Sequence, residues 1–127
     1  MLTDSKAFSG FAVDDLEAAR PFYEDTLGLK VSVIDEEGGL MALNLAGGRD
    51  VFVYRKPDHA PANYTILNFR VDDIEQTVDE LSSRGVRFER YDGFDQDEKG
   101  ITRGAPGPAI AWFTDPAGNI LSVLEDS

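Results

Sequence analysis

The sequence predicts an α+β fold in which two tandem βαβββ modules make up a single domain. The first observation is an internal repeat, because the stretch FAVDDLE at residues 11–17 returns as FRVDDIE at residues 69–75. The second is that each copy continues with a helix-like run and then with three strand-like runs. A chain of 127 residues is an ordinary size for one domain. Duplication of a module is therefore the simplest interpretation.

The first module, at about residues 5–55, begins with a strand that ends in an Asp-Asp pair. Asp15 is the predicted N-cap of a helix that Gly28 ends. Pro21 lies inside this helix and lacks the N–H that would bond to the preceding turn, so we expect a kink or an irregular turn. The strands that follow are predicted at residues 30–35, 39–45 and 50–55.

The second module, at about residues 64–127, follows a proline-containing linker at residues 56–63. Asp73 is the predicted N-cap of its helix, and Gly85 is the residue that ends it. Its strands are predicted at residues 87–91, 109–114 and 119–125. The long glycine-rich connection at residues 93–110 has two interpretations, a flap over a binding site or a disordered surface loop.

Alternation along the strands separates two faces of the predicted sheets. One face is uniformly apolar, as at Val13, Val53 and Leu121, and should pack under the helices. The other mixes aromatic, aliphatic and polar residues, and no helix remains to cover it. This second face should therefore line a cleft or meet another chain.

Composition excludes several classes of function. The 24 acidic and 12 basic residues give a formal charge of −12. This charge disfavours binding to nucleic acid and is compatible with binding of a cationic ligand. No apolar run approaches the roughly 18 residues of a membrane span, and the N-terminus does not look like a signal peptide. The chain has no cysteine, and its one histidine, His59, is expected to be solvated in the linker. We expect a cytoplasmic protein.

Two stretches, FYEDTLGLKV at residues 22–31 and WFTDPAGNILSVLE at residues 112–125, resemble the vicinal oxygen chelate (VOC domain) superfamily. That group includes glyoxalase I, extradiol dioxygenases and the fosfomycin- and bleomycin-resistance proteins. The resemblance implies sheets curled around a cleft, in which enzymatic members hold a divalent metal at four related positions. Those positions correspond here to Phe8, Phe52, Ile66 and Ser122. Hydrocarbon and one neutral hydroxyl are poor metal ligands.

The sequence therefore predicts a metal-independent small-molecule-binding protein, either drug-sequestering or ligand-sensing, with no catalytic residue and no cofactor. The expected ligand is apolar or aromatic, and the resemblance implies a homodimer. Arg103, on the long connection, is expected to supply a positive contact. The expected ligand-contacting residues are Phe8, Phe52, Tyr54, Ile66, Asn68, Arg70, Arg103, Trp112, Ser122 and Leu124.

Two other functions stay open at this point. One is a metal-dependent lyase or dioxygenase with atypical ligands. The other is a protein-interaction module whose cleft is filled by its own aromatic side chains. Metal content distinguishes the metal-dependent enzyme from the predicted metal-independent binding protein. A ligand-induced rise in melting temperature distinguishes the binding protein from the protein-interaction module.

Overall fold

The computed structural model describes residues 1–103 and 107–125, and the chain divides into two units, Met1–His59 and Ala60–Ser127. Each unit contains one mixed sheet, with four strands in the first and three in the second. The predicted α+β class is confirmed. Among the described residues, none of the helices has the length and apolar character needed to cross a membrane.

The first unit forms a sheet in the order β1-β4-β3-β2, in which β1 and β4 are parallel and the other neighbours are antiparallel. The predicted helix start is confirmed, since Asp15 Oδ1 accepts a hydrogen bond of 2.9 Å from the Glu17 backbone N–H. The elements are β1 (Ser9–Val13), α1 (Leu16–Pro21), a π-helical turn (Phe22–Thr26), β2 (Lys30–Asp35), β3 (Leu40–Leu45) and β4 (Arg49–Arg55).

The irregularity expected at Pro21 is confirmed. Helix α1 ends at Pro21 and continues as the π-helical turn, in which Leu27 N–H donates to the Phe22 carbonyl at 2.9 Å. Proline has no N–H for the Glu17 carbonyl, so the regular bonding pattern stops there. The segment then ends at Gly28, whose φ of 73° is one that glycine adopts without strain.

The second unit forms a sheet in the order β5-β7-β6, with β5 and β7 parallel and β6 and β7 antiparallel. Asp73 caps α2 as predicted, because its Oδ1 accepts a hydrogen bond of 3.1 Å from Gln76 N–H. The elements are β5 (Thr65–Arg70), α2 (Ile74–Ser83), β6 (Ala109–Thr114) and β7 (Ile120–Glu125).

The predicted strand at residues 87–91 was wrong. This stretch makes one bridge, from Phe88 to Phe113, and then leaves the sheet. The edge of β6 that it would use next is occupied, since Thr102 and Ile110 exchange both backbone hydrogen bonds, at 2.9 and 3.1 Å. The side chain of Gln96 binds the Tyr91 N–H at 2.8 Å and the Glu89 carbonyl at 3.0 Å, which satisfies the backbone there instead.

Each unit buries the apolar face that the alternation predicts. In the first unit Val13 and Val53 are fully buried, and in the second unit Leu121 and Phe113 are fully buried. Helix α2 adds Ile74, which is also fully buried. The candidate site lies on the opposite face of the sheets.

Candidate ligand-binding face

Three side chains form a row across the second sheet. Asn68 on β5 is the register partner of Ser122 on β7, and Ser122 is the register partner of Trp112 on β6. Side chains that are directly opposite in neighbouring strands point to the same face. Because neighbouring strands lie about 4.8 Å apart, the row spans about 10 Å from the Asn68 backbone to the Trp112 backbone.

Ser122 is the buried centre of this row. Its exposed fraction is 0%, and its hydroxyl donates a hydrogen bond to Asn68 Oδ1. This bond fixes the orientation of the Asn68 amide, whose residue is exposed. Among the described residues, the amide nitrogen of Asn68 has no acceptor, so it can donate to a bound molecule.

Trp112 is the aromatic end of the row and is held from two sides. Its indole N–H donates to Thr65 Oγ1 at 3.2 Å. Tyr91 contacts it edge-on with 5.6 Å between ring centroids, and Phe94 lies 5.0 Å away in a tilted arrangement. Phe94 is 52% exposed, so this aromatic group is open to solvent on one side. We name the set Asn68, Ser122, Trp112, Tyr91 and Phe94 the Trp112 cluster.

The phenol of Tyr91 has a pKa above its ordinary value. Burial is the larger cause, because it disfavours the charged phenolate, and repulsion from the Glu89 carboxylate adds to it. The unfolded chain therefore loses this proton at lower pH than the folded chain does. The resulting contribution to stability is complete below pH about 10 and disappears as the pH rises through the folded-state pKa.

We therefore expect the Tyr91→Phe variant to lose less stability than the wild type between about pH 9 and pH 11. Urea-unfolding midpoints measured at intervals across this range check the prediction. Parallel pH profiles for the two proteins would contradict it, since a phenol that titrates normally contributes no such difference.

The other predicted residues of the second unit lie around the row. Arg70 and Leu124 are register partners on the same face, two residues beyond Asn68 and Ser122, with Arg70 exposed and Leu124 half-buried. Ile66 lies where the β5–β7 register shifts between Thr65 and Leu67, and it is half-buried. These three therefore border the Trp112 cluster.

The predicted residues of the first unit form a separate aromatic group on its own sheet. Phe8 precedes β1 and is 66% exposed, and its ring centroid lies 4.7 Å from that of Phe52 on β4. Tyr54, two residues further along β4, is 44% exposed. This face of the first sheet is thus apolar and open to solvent within its unit.

Arg103 is placed beside α2. Its Nη2 lies 3.3 Å from Glu75 Oε2, so its guanidinium is already paired with a carboxylate. Residues 93–103 of the long connection are attached to the second unit, and within them Ile101 is 1% exposed. Residues 104–106 of that connection lie outside the described residues.

The expectation of a solvated His59 was wrong for one ring nitrogen. The residue is half-buried, and its Nε2 is buried without a hydrogen-bond partner among the described residues. The linker turns at this point, since the His59 N–H donates to the Lys56 carbonyl at 2.9 Å.

The residues at the four positions where the resemblance implies metal ligands do not fit a divalent ion in either unit. In the first unit Phe8 and Phe52 offer only aromatic rings, and in the second unit Ile66 offers only hydrocarbon. The Ser122 hydroxyl is buried and donates a hydrogen bond to Asn68 Oδ1. Within residues 1–103 and 107–125, His, Asp and Glu side chains form no group of three that could hold a metal.

Sequence reasoning missed Thr65, Tyr91 and Phe94 as the residues that position Trp112. Tyr91 lies at the end of the strand predicted at residues 87–91, which the structure does not form, and Phe94 lies in the long connection, where no periodic pattern indicates a face. Both residues are aromatic, but nothing in the sequence connects them to the single tryptophan of the chain.

Comparison with known proteins gives a family and a fold. The model of the Glyoxalase/Bleomycin resistance protein/Dioxygenase superfamily matches residues 8–123. No match was found among curated protein sequences.

Three solved structures illustrate the shared fold. TnmS3, an antibiotic binding protein from Streptomyces sp. CB03234, is 22% identical with a TM-score of 0.72, over 98% of this chain and 99% of that one. A member of the same superfamily from Sphaerobacter thermophilus DSM 20745 is 22% identical with a TM-score of 0.70, over 94% and 97%. The fosfomycin resistance protein FosX from Listeria monocytogenes is 11% identical with a TM-score of 0.72, over 98% and 94%.

Proposed function

Because the chain belongs to the Glyoxalase/Bleomycin resistance protein/Dioxygenase superfamily, we propose that it is a metal-independent protein that binds a small apolar or aromatic molecule. Its role is to sequester a drug or to sense a ligand. The Trp112 cluster is the proposed binding surface. We also propose that the protein is cytoplasmic, as expected from the sequence.

The row of Asn68, Ser122 and Trp112 is the observation that carries this proposal. An aromatic ring of the ligand packs against Trp112 and the exposed ring of Phe94. At the other end of the row, the Asn68 amide donates a hydrogen bond to an acceptor on the ligand. A mostly apolar surface with a few oriented polar groups is the usual composition of a small-molecule site.

The donor chemistry supports metal independence. A carboxylate or imidazole at position 122 would suit a divalent ion, whereas the Ser122 hydroxyl is used to orient Asn68. This use explains why a polar residue lies in the middle of an apolar strand. TnmS3 is an antibiotic binding protein and FosX is a fosfomycin resistance protein, and this supports a role in drug binding for a chain with the same fold.

We also propose that the aromatic group on the first sheet contributes to binding or to assembly. Phe8, Phe52 and Tyr54 supply apolar surface either to the ligand or to a second copy of the chain. The exposed rings support the homodimer that the family resemblance implied. Light scattering that gives a monomer at micromolar concentration would contradict the dimer and would leave the Trp112 cluster unaffected.

The single tryptophan makes a direct test possible. The ¹H–¹⁵N spectrum contains one indole N–H signal, from Trp112, so any ligand that reaches the cluster is visible there. We expect 4-phenylbutan-2-one to shift this signal and the Asn68 side-chain amide. Butylbenzene, which lacks the carbonyl, should bind about fivefold more weakly, since one hydrogen bond contributes about 1 kcal/mol.

A panel of antibiotics and small aromatic acids, screened by the same signal with and without EDTA, extends the test to biological ligands. The proposal expects shifts that EDTA does not alter. A panel in which no aromatic compound moves the indole signal would contradict it. Shifts that require added Mn²⁺ or Zn²⁺ would favour the alternative of a metal-dependent lyase or dioxygenase.

A further inference from the structure

The first unit contains a pocket of about 350 Å³ between α1 and the strands β2 and β3. This volume is in the range of small-molecule sites. Leu16, Val33 and Met41 provide apolar surface, and Met41 is 1% exposed. The pocket lies in a different unit from the Trp112 cluster, and the proposed function does not use it.

Carboxylates dominate the rim of this pocket. Asp15, Glu17, Asp35 and Glu36 line it, against the two cations Arg20 and Arg55. Arg20 is already paired with Glu24, at 3.5 Å. Among the described residues, no lysine or arginine forms an ion pair with Glu17 or Glu36. Their negative charge is therefore available to a bound cation.

Four carboxylates against two cations leave the rim with an excess of negative charge, and contacts of its own hold Arg55 in place. Its Nη2 donates to the Glu37 carbonyl at 3.3 Å. The side chain lies against Gly39. Any residue with a Cβ at this position would bring that atom to 2.8 Å from the Arg55 Cβ. Arg55 is thus held at the β2–β3 turn.

The second unit contains the repeat position that is equivalent to Glu17, so the two positions can be compared within one chain. Glu75 corresponds to Glu17 in the repeat, and it faces Lys99 Nζ at 3.6 Å and Arg103 Nη2 at 3.3 Å. Lys99 also binds Asp79 at 2.9 Å, and Ile101 between the two cations is 1% exposed. The long connection of the second module thus places two cations, Lys99 and Arg103, and the buried Ile101 beside α2.

The first module replaces that connection with a short turn between β2 and β3, from residue 36 to residue 39. Among the residues that the structure describes, no lysine or arginine forms an ion pair with Glu17, and the pocket stays open. We propose that this pocket binds a small organic cation, namely a protonated amine or guanidine attached to an apolar body. The charged group lies near Glu17 and Glu36, and the apolar body packs on Leu16, Val33 and Met41.

The test is a titration of ¹⁵N-labelled protein with 4-phenylbutylammonium in 50 mM NaCl, followed by backbone amide shifts. We expect the signals of Leu16, Val33 and Met41 to move. The matched alcohol 4-phenylbutan-1-ol and the matched acid 4-phenylbutanoate should bind more weakly, by up to about fivefold for the alcohol, since one partly exposed ion pair contributes up to about 1 kcal/mol.

Two matched variants separate the pocket from a general effect of acidic charge. Glu17→Gln should weaken 4-phenylbutylammonium binding about fivefold, whereas Glu75→Gln, the same change at the equivalent position of the second module, should leave it unchanged. The proposal is overturned if the alcohol binds as tightly as the amine, or if both variants weaken binding equally. It is also overturned if the shifts occur only at Asn68 and Trp112. That last result would leave the proposed function intact.

Discussion

The Phe113→Ala variant is expected to lose about 3–5 kcal/mol of unfolding free energy, because removing a fully buried aromatic ring leaves a cavity. Phe113 is 0% exposed, contacts Phe88 edge-on at 5.6 Å, and is the register partner of Leu121, which is also fully buried. A domain is usually stable by only about 5–15 kcal/mol, so this loss is a large part of the total. Urea unfolding followed by circular dichroism measures it.

Phe94→Ala is the control for that experiment. Phe94 is 52% exposed and belongs to the Trp112 cluster, not to the core. Its truncation should cost less than about 1 kcal/mol of stability while reducing ligand binding. A Phe113→Ala variant that is no less stable than Phe94→Ala would contradict the assignment of the two faces of β6.

The Trp112→Ala variant is expected to bind 4-phenylbutan-2-one at least about 30-fold more weakly, since a tryptophan at the centre of a binding surface commonly contributes about 2 kcal/mol or more. The loss combines the missing stacking surface with the release of Tyr91 and Phe94, which pack against the indole. Calorimetry measures the affinity, because this variant no longer has the indole signal.

Trp112→Phe and Ile34→Ala are the matched controls. Phenylalanine keeps an aromatic ring on β6 and should recover part of the affinity. Ile34 is an exposed residue on β2 of the first unit, 52% exposed, and its truncation should leave the affinity unchanged. Equal affinities for the wild type and Trp112→Ala would show that the ligand binds elsewhere.

Local rules made much of the fold predictable. Asp15 and Asp73 were identified as helix caps because a short carboxylate before an apolar helical run satisfies the free N–H groups of the first turn. Pro21 was identified as an irregularity because it lacks an N–H. The burial of Val53 and Leu121 followed from strand alternation alone.

Contacts between distant residues explain what could not be predicted. Residues 87–91 have a strand-like pattern, yet Thr102 pairs with Ile110 and takes the edge of β6 that they would have used. The position of Arg103 likewise depends on Glu75 of α2, and no spacing rule connects these two residues. Ser122 was recognisable as an unusual residue, but its use in orienting Asn68 required the register of β5 and β7.

The Trp112 cluster is proposed to bind its ligand without a divalent ion. The most direct measurement is the dissociation constant of 4-phenylbutan-2-one by calorimetry, for protein treated with EDTA and for the same protein given one equivalent of Mn²⁺ or Zn²⁺. We expect the same dissociation constant in all three samples. Binding that disappears with EDTA and returns with stoichiometric metal would contradict it.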